Sequence, residues 1–430
     1  MPDHKKQPPK PPQKHSPSPL PCTPEITLDV SPALNCSIQL FGIVTCGGQP
    51  ITDATVEFES DSLLINPISS ATTNKKGEFS SDVEIKSGVQ SSDISITAST
   101  KIKEGTASIS QNAKVECPVP PPKNRIYVTN SASLPNNASN TVSVIDGNTD
   151  LTIAKVLSGT NPLGVALNPI TNRIYVTNFT GDTVSVIDTL TNALITVIPI
   201  GTGGIPTALP SAITVNTVTN RIYVANSAAE TVSVIDGGSN QVIATVPVGK
   251  NPMGIAVNPT TNKIYVASNN DTTVFVIDGV LNIVIDVFFI FLFPAGIAVN
   301  TITNQIYVTN SVGKIVSVVD GFTNKVVAEI MVGETPFGIA INLSHPFSTR
   351  IYVTNSDDAT VSVIDGDKNI VLVTIPVGNS PVGVAVNPLT NRVYVTNLID
   401  GTISIIDGLT NIVIDLITIG NSPSGIAVLP

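Results

Sequence analysis

The stretch Arg173-Ile-Tyr-Val-Thr-Asn178 decides the fold, because close variants of it surround every tyrosine of the 430-residue chain. The intervals between successive tyrosines are 48, 48, 42, 42, 45 and 42 residues. The tyrosines are Tyr127, Tyr175, Tyr223, Tyr265, Tyr307, Tyr352 and Tyr394. A residue type confined to equivalent positions marks an array of one structural unit, and periods of about 40 to 50 residues are typical of propellers and solenoids.

Each unit contains four short runs with strand character, called a, b, c and d in chain order. Runs a and b are represented by Gly254-Ile-Ala-Val-Asn258 and Ile264-Tyr-Val-Ala-Ser268, and runs c and d by Thr231-Val-Ser-Val-Ile-Asp236 and Val242-Ile-Ala-Thr-Val-Pro-Val248. Pro-x-Gly leads into most a runs, and Asp-Gly joins most c and d runs, where it favours a tight turn. Because both faces of the runs are apolar, each sheet needs neighbours on both sides, and radial packing provides them.

The ends of the array indicate how it closes. It begins on run b at Arg125-Ile126 and stops on run a at Gly425-Ile-Ala-Val428, so the last strand is expected to complete the first sheet. We therefore predict an all-β chain in which residues 124–430 form a seven-bladed β-propeller of four-stranded antiparallel blades, closed by the C-terminal strand.

The repeated Tyr-Val-Thr-Asn, Thr-Val-Ser-Val-Ile-Asp-Gly and Pro-x-Gly-Ile-Ala-Val-Asn-Pro motifs closely resemble those of the YVTN family of β-propeller repeat proteins. The resemblance covers residues 124–430 and implies a propeller on a bacterial or archaeal surface or in the periplasm, with no shared catalytic residues. One unit departs from the pattern at Phe288-Phe-Ile-Phe-Leu-Phe-Pro294, which is too short for a membrane span. We interpret it as a buried d strand, the alternative being an exposed edge that binds a partner.

Residues 1–24 differ in composition from the rest of the chain. They contain nine prolines together with Lys5, Lys6, Lys10 and Lys14, a composition that cannot form a core. No apolar run follows the lysines, so this segment is not expected to be an ordinary secretory signal peptide. It is interpreted as a disordered linker or as an anchoring arm.

Residues 25–117 predict a small β-sandwich, because short strand-like runs follow each other at the spacing of such domains. Gly48-Gln-Pro-Ile-Thr-Asp-Ala-Thr-Val-Glu-Phe58 and Ala71-Thr-Thr-Asn-Lys-Lys-Gly-Glu-Phe79 resemble bacterial Ig-like domains of the invasin and intimin type, and the transthyretin-like sandwich is similar too. The resemblance implies a stalk or adhesion module. Residues 118–123 would then be a stiff proline-rich linker.

All four cysteines lie in or just before this small module: Cys22, Cys36, Cys46 and Cys117. Their spacings lack the paired Cys-x-x-Cys of a zinc site and favour disulfides. A hairpin of strands 22–30 and 37–46 would place Cys22 opposite Cys46 and leave Cys36 at the pole where the last strand ends. The predicted pairs are therefore Cys22–Cys46 and Cys36–Cys117.

The sequence offers little for enzyme chemistry. The three histidines are His4 and His15 in the tail and His345 in an a-to-b turn, so they form no cluster for haem, copper or zinc. The repeated aspartate of run c is interpreted as a turn-former. The arginines after the a-to-b turns are expected to fold over the blade edge and pair with turn carboxylates: Arg125, Arg173, Arg221, Arg350 and Arg392. We predict no catalytic residues, no cofactor, no metal site and no enzymatic activity.

The charge distribution bounds the partners. Residues 1–20 carry +3, residues 21–122 carry −6 and the remainder −7, which gives the net −10 of the chain. Acidic surfaces repel phosphate backbones, so nucleic acid is excluded as a partner of the folded part. No transmembrane segment is predicted. A protein or glycan surface ligand is expected, and the N-terminal module is a candidate for self-association.

Two insertions, 131–140 and 201–210, lengthen the first two tyrosine intervals, and long loops on a rigid scaffold often carry recognition. The candidate binding residues are Ser131, Leu134, Asn136, Asn137, Asn140, Gly201, Thr202, Ile205, Thr207 and Leu209. We predict a non-enzymatic adhesion scaffold on a cell envelope or spore surface. The alternatives are a propeller enzyme of the lactonase or hydrolase kind and a structural, disulfide-linked coat component.

Overall fold

The computed structural model describes residues 23–31, 37–61, 65–86, 89–102, 105–117, 124–131, 140–200, 208–290, 292–420 and 422–430. The described chain is all-β apart from two 3-10 turns, Phe179–Gly181 and Asn269–Asp271. It divides into two compact units, Met1–Pro120 and Pro121–Pro430.

The first unit contains two sheets. In one sheet β3 pairs with β1, β2, β4 and β7, and the other has the order β6-β5-β8-β9. Buried side chains of both sheets, including Leu40, Val44, Val56 and Ile96, share one core. The strands are β1 (Pro24–Ile26), β2 (Asp29–Val30), β3 (Ser37–Cys46), β4 (Gln49–Pro50), β5 (Thr55–Ser60), β6 (Ala71–Thr72), β7 (Glu78–Glu84), β8 (Val89–Ile102) and β9 (Gly105–Cys117).

The predicted hairpin before Cys46 is present, but its register differs. Pro24 lies opposite Cys46 and Val30 lies opposite Leu40, so the pairing is displaced by two residues from the one predicted for Cys22. Cys46 is disulfide-bonded. Because Cys22 and Cys36 lie outside the described residues, the pairs Cys22–Cys46 and Cys36–Cys117 stay predictions.

The second unit contains seven four-stranded antiparallel sheets among its described residues. In sheets 2 to 7 the strands are ordered a, b, c, d along the chain, and sheet 1 combines β10, β11 and β12 with the last strand, β37. Sheet 1 contains β10 (Arg125–Asn130), β11 (Thr141–Asp146) and β12 (Leu151–Leu157); sheet 2, β13 (Pro162–Asn168), β14 (Arg173–Asn178), β15 (Thr183–Asp188) and β16 (Leu194–Pro199); sheet 3, β17 (Pro210–Asn216), β18 (Arg221–Asn226), β19 (Thr231–Asp236) and β20 (Gln241–Pro247). Sheet 4 contains β21 (Pro252–Asn258), β22 (Lys263–Ser268), β23 (Thr273–Asp278) and β24 (Ile283–Phe289); sheet 5, β25 (Pro294–Asn300), β26 (Gln305–Asn310), β27 (Ile315–Asp320) and β28 (Lys325–Met331); sheet 6, β29 (Pro336–Asn342), β30 (Arg350–Asn355), β31 (Thr360–Asp365) and β32 (Ile370–Pro376); sheet 7, β33 (Pro381–Asn387), β34 (Arg392–Asn397), β35 (Thr402–Asp407) and β36 (Ile412–Thr418), and β37 spans Pro423–Leu429.

The cores of this unit lie between adjacent sheets. Every tyrosine of a b strand is fully buried. Tyr175 of sheet 2 packs in one cluster with Ile213 and Ile222 of sheet 3, and Tyr394 of sheet 7 packs with Ile126 of sheet 1. Strands b and c are therefore apolar on both faces because each face contacts a neighbouring sheet, as the sequence pattern predicts.

The a strands approach each other closely at their Pro-x-Gly segments. Each a strand contacts the a strand of the next sheet, and β37 contacts both β33 and β13. A Cβ atom at Gly338 would lie 2.1 Å from the carbonyl oxygen of Val382 in the next sheet. Glycine is required there because any side chain would clash with the neighbouring backbone.

The threonine of the Tyr-Val-Thr-Asn motif ties these strands together. The Thr354 hydroxyl accepts a hydrogen bond from the Gly338 N–H of its own sheet (2.8 Å) and donates one to the Val382 carbonyl of the next sheet (3.1 Å). Thr129, Thr177, Thr309 and Thr396 donate to the next sheet in the same way. Sheets 3 and 4 have Ala225 and Ala267 at this position instead.

The d strands lie at the outer edge and expose many large apolar side chains. The Phe288–Phe293 run fits neither of its two interpretations completely. Phe288 and Ile290 are buried, whereas Phe289 is 72% exposed and Leu292 and Phe293 are exposed as well. Within β24 itself only Phe288 is buried, and most of the strand faces solvent.

Candidate functional site

The seven a strands line a cavity of about 580 Å³ within the second unit. The lining comes from the second to fourth residues of these strands, with Ser131 and Leu398 from two b-to-c connections. All seven residues at the x position of Pro-x-Gly, or its equivalent in β17, line this cavity: Leu163, Ser211, Met253, Ala295, Phe337, Val382 and Ser424. We call these seven residues the x ring.

The strand register places the cavity at one end of the sheets. Pro162, which begins β13, lies opposite Asn178, the last residue of β14. The d-to-a and b-to-c connections therefore share the end at which the cavity is lined, and it is called the mouth end. Arg173 lies opposite Asp188 at the other end, which carries the Asp-Gly turns.

The cavity lining is apolar and uncharged. It has no titratable side chain, and its polar groups are backbone atoms and serine hydroxyls. The Ser211 hydroxyl of sheet 3 donates to the Pro252 carbonyl of sheet 4 at 2.9 Å, and the Ser424 hydroxyl of sheet 1 donates to the Leu163 carbonyl of sheet 2 at 3.3 Å. These hydroxyls are engaged in holding adjacent sheets together, so the cavity provides shape and apolar surface more than reactive groups.

The x ring breaks the regularity of the repeat. The neighbouring positions of the a strands stay proline, glycine and Val or Ile in nearly every unit, whereas x varies from serine to phenylalanine. Leu163, Met253, Phe337 and Val382 are the bulky members, and the remaining three are small. Variation at this one position gives an otherwise repetitive ring of strands an asymmetric cavity.

The predicted binding loops meet the same end of the fold. Ser131 lines the cavity and donates its hydroxyl to the Ser422 carbonyl at 3.0 Å. The Asn140 side-chain oxygen accepts the Asn161 N–H at 3.0 Å, and the Leu209 N–H donates to the Asp182 carboxylate at 2.9 Å. The other candidates lie outside the described residues: Leu134, Asn136, Asn137, Gly201, Thr202, Ile205 and Thr207.

Sequence reasoning missed the x ring as a site. The sequence identifies Pro-x-Gly only as the entry to most a runs. The signal that was available is the contrast between the proline and glycine, which recur in nearly every unit, and the variable residue between them. Because this residue varies while the rest of the motif does not, packing against a neighbouring sheet does not dictate its type.

The repeated aspartates act as turn-formers at the other end. The Asp236 carboxylate accepts the N–H groups of Ser239 (2.8 Å) and Gly238 (3.1 Å), and these hydrogen bonds hold its pKa below the usual range. Asp320 and Asp407 have the same arrangement and the same direction of pKa shift. These carboxylates are therefore committed to the backbone of their own turns.

The arginines differ in part from the expectation. Arg173 and Arg221 donate to turn carbonyls of the next sheet, at Gly237 and Gly279, instead of pairing with carboxylates. Arg392 donates to the Gly147 carbonyl and also forms an ion pair with Asp150 at 3.1 Å. Arg125 and Arg350 pair as expected with turn carboxylates of their own sheets, Asp146 and Asp365, each at 3.6 Å.

His345 takes the corresponding place in sheet 6. It is buried, and its Nε2 lies 3.1 Å from the Gly408 carbonyl of sheet 7. Burial lowers the pKa of this imidazole. The side chain thus joins two sheets at the end opposite the cavity and takes no part in lining it.

The described residues provide neither a metal-binding cluster nor a membrane-spanning helix. No group of three or more His, Cys, Asp or Glu side chains there is arranged to hold a metal ion. In the same part of the chain, no helix has the length and apolar character needed to cross a bilayer.

Comparison with known proteins places the fold. No protein-family model and no curated protein matches the chain. Hydrazine synthase of Kuenenia stuttgartiensis is similar in structure, with a TM-score of 0.56 and 18% identity over 63% of this chain and 90% of that chain. The dihydro-heme d1 dehydrogenase NirN in complex with DHE is similar with a TM-score of 0.52 and 15% identity, over 71% of this chain and 75% of that one. Both are β-propeller proteins, which agrees with the repeated four-stranded sheets.

These neighbours correct the functional prediction. Both are enzymes, a synthase and a dehydrogenase, and this finding overturns the prediction of a non-enzymatic adhesion scaffold. The prediction failed because it searched for catalytic side chains in the repeat motifs, which serve the turns and the contacts between sheets. At such low identity the likeness shows the fold and not the reaction.

Proposed function

We propose that the chain is a propeller enzyme that binds an apolar small molecule in the cavity inside the x ring. The observation that carries this proposal is the cavity of about 580 Å³, lined by seven variable side chains at one end of the unit. Binding sites for small molecules are concave, mostly apolar and of this size. The two enzymes that share the fold support the same class of function.

The sequence motifs suggest a fold that is more specific than a β-propeller of unstated blade number, and we propose that fold here. The seven sheets form seven blades of a ring, which the pairing of β37 with β10 latches. The first unit is proposed to be a sandwich of the Ig-like or transthyretin-like kind, and residues 124–430 to belong with the YVTN propellers. The shared core of the two N-terminal sheets and the sevenfold motifs support these assignments.

The lining limits how the chemistry is done. General acid or base catalysis needs a titratable group near the reacting atom, and no lining residue supplies one. The reactive group is therefore proposed to arrive with the bound molecule or with a second component, while the ring binds, orients and excludes water. A divalent-ion lactonase site is not favoured in this cavity, because its lining has no carboxylate ligand.

A haem-type ligand, of the kind that the name dihydro-heme d1 dehydrogenase indicates for NirN, fits this cavity poorly. Haem iron is held by His, Cys, Met or Tyr, and only Met253 among the lining residues belongs to that set. No lining residue carries a positive charge that could pair with an acidic substituent. No step of the proposed reaction is therefore assigned to such a group.

The test fills the cavity and asks whether binding is lost. In a titration with dansylamide, a neutral apolar fluorophore, the unmodified protein is expected to bind and Val382→Trp to bind at least tenfold more weakly. Val218→Trp is the matched control, because Val218 is 73% exposed in an a-to-b turn at the other end. Equal binding by the unmodified protein and Val382→Trp would refute the cavity as the site.

A second measurement tests catalysis. The unmodified protein and Val382→Trp are incubated with a mixture of neutral apolar compounds, with and without a cell extract as the second component, and the mixture is followed by mass spectrometry. Consumption of a compound only by the protein with the open cavity is expected. Consumption at equal rates by both proteins would place the reaction elsewhere in the molecule.

Location and partners stay proposals. We place the protein outside the cytoplasm, which the disulfide at Cys46 supports, because disulfides persist in oxidising compartments. A protein or glycan partner at the mouth end and self-association through the first unit are proposed as additional properties. Trapping of free thiols by alkylation in intact cells, followed by peptide mapping, tests the location: a reduced Cys46 would contradict it.

A further inference from the structure

The connections at the mouth end carry a charge that bears on the ligand. Seven acidic residues lie in the b-to-c and d-to-a connections of this end, against two lysines, Lys250 and Lys314. The acidic residues are Asp182, Glu230, Asp271, Glu334, Asp357, Asp358 and Asp400. Lys314 is paired with Glu334, and a third ammonium, of Lys155 in β12, reaches this end by donating to the Ile419 carbonyl, so the acidic residues still outnumber the lysines.

Several of these carboxylates are fixed beside the segments that lead into the cavity lining. The Asp400 carboxylate accepts the Asn379 N–H at 2.7 Å and follows Leu398, which lines the cavity. The Asp358 carboxylate accepts the Glu334 N–H at 2.7 Å, three residues before Phe337. Hydrogen bonds from Asn379 lower the pKa of Asp400, so this carboxylate stays ionised down to acidic pH.

The cavity itself has no group that could compensate an anion. None of its lining residues is Lys, Arg or His, and the insertions 131–140 and 201–210 contain no charged residue in their sequence. A bound anion would therefore lose water inside an apolar ring while facing an acidic mouth. A cation would lose water as well, but the acidic mouth would offset part of that cost, and a neutral molecule would carry neither the desolvation cost of a charge nor the repulsion.

We infer that this site selects an apolar ligand that is neutral or positively charged and discriminates against apolar anions. The inference rests on the proposed function, since it specifies the molecule that the x ring binds. A cleft rimmed by one sign of charge raises the local concentration of the opposite sign by about tenfold or more. Salt weakens the effect, because the screening length falls to about 8 Å at physiological ionic strength.

The experiment uses three ligands with one fluorophore: dansylamide, which is neutral, dansylcadaverine, which is cationic, and dansylglycine, which is anionic. At low salt, dansylglycine is expected to bind about tenfold more weakly than the other two, and the gap is expected to narrow in high salt. The double variant with Glu230→Gln and Glu334→Gln should reduce the difference in affinity between dansylglycine and the other two ligands at low salt. Glu329→Gln, in the middle of the outer strand β28, is the control that should leave it unchanged.

The outcomes separate this inference from the proposed function. If none of the three ligands binds, or if Val382→Trp binds them all as well as the unmodified protein, the proposed function fails. If dansylamide binds and Val382→Trp abolishes that binding, but dansylglycine binds as tightly as dansylamide at low salt, only the charge selection is overturned.

Discussion

The Thr354 hydroxyl gives the sharpest test of how the a strands are held around the cavity. Thr354 is fully buried, and its hydroxyl connects the Gly338 N–H of one sheet to the Val382 carbonyl of the next. Thr354→Val keeps the shape of the side chain but leaves both backbone groups without this partner. A fully buried polar group left unpaired costs about 1 to 3 kcal/mol; because these two groups are only half-buried beside the cavity, we expect a combined loss of about 2 to 4 kcal/mol in the free energy of unfolding.

Urea unfolding followed by tyrosine fluorescence measures this loss. The chain has no tryptophan, and all seven tyrosines belong to the second unit, so the signal reports on that unit alone. The expected result is a lower midpoint with an unchanged slope, which indicates a loss of stability and not a change in the unfolded state.

Thr390→Val is the matched control for this measurement. Thr390 is exposed in an a-to-b turn, and its removal should change the free energy of unfolding by less than about 0.5 kcal/mol. If Thr354→Val changed stability no more than Thr390→Val does, the threonine bridges would not be what holds the a strands together, and the reasoning would be refuted.

Three further predictions concern the ends of the ring, its pH dependence and the cysteines. Deleting residues 421–430 removes β37, which should expose the edge of β10 and cause aggregation, and a truncated protein that stays monomeric with unchanged melting would contradict the latch. Because burial lowers the pKa of His345 below its unfolded value of about 6.5, the free energy of unfolding should fall as the pH drops through that value. His345→Gln should remove this pH dependence. Identical pH profiles of the two proteins between about pH 7.5 and 5.5 would contradict the prediction. Non-reducing peptide mapping should find Cys46 joined to Cys22, and a bond from Cys46 to Cys36, Cys117 or a second chain would disprove the pairing.

Much of the fold is predictable from the sequence because each motif residue has one structural task. The tyrosine is fully buried between sheets, the aspartate caps its own turn and the proline begins strand a, so periodicity alone fixes strand order and the pairing of the last strand. The register of the N-terminal hairpin was missed by two residues, since turn geometry and not strand pattern sets it.

The candidate site was harder to predict because its residues carry no chemical signature. Leu163, Met253, Phe337 and Val382 are ordinary apolar residues, and only the convergence of seven a strands gives them a common cavity. The polar loops predicted as a binding surface include Ser131, which lines the cavity, but their sequence does not indicate the apolar residues behind it. Motif residues that are the same in every blade could not reveal a site built from differences between blades.

Photolabelling with a neutral apolar diazirine, mapped by peptide mass spectrometry, tests the central claim most directly. Among its described residues, the second unit offers such a probe the x ring, the exposed side chains of the outer d strands, such as Leu157, Phe289 and Met331, and single exposed residues of the turns at the other end, such as Val218. Our account predicts saturable labelling of the peptides that contain Leu163, Met253, Phe337 and Val382, with loss of that labelling in Val382→Trp. Saturable labelling of the d strands that persists in Val382→Trp, with none in the x ring, would contradict it.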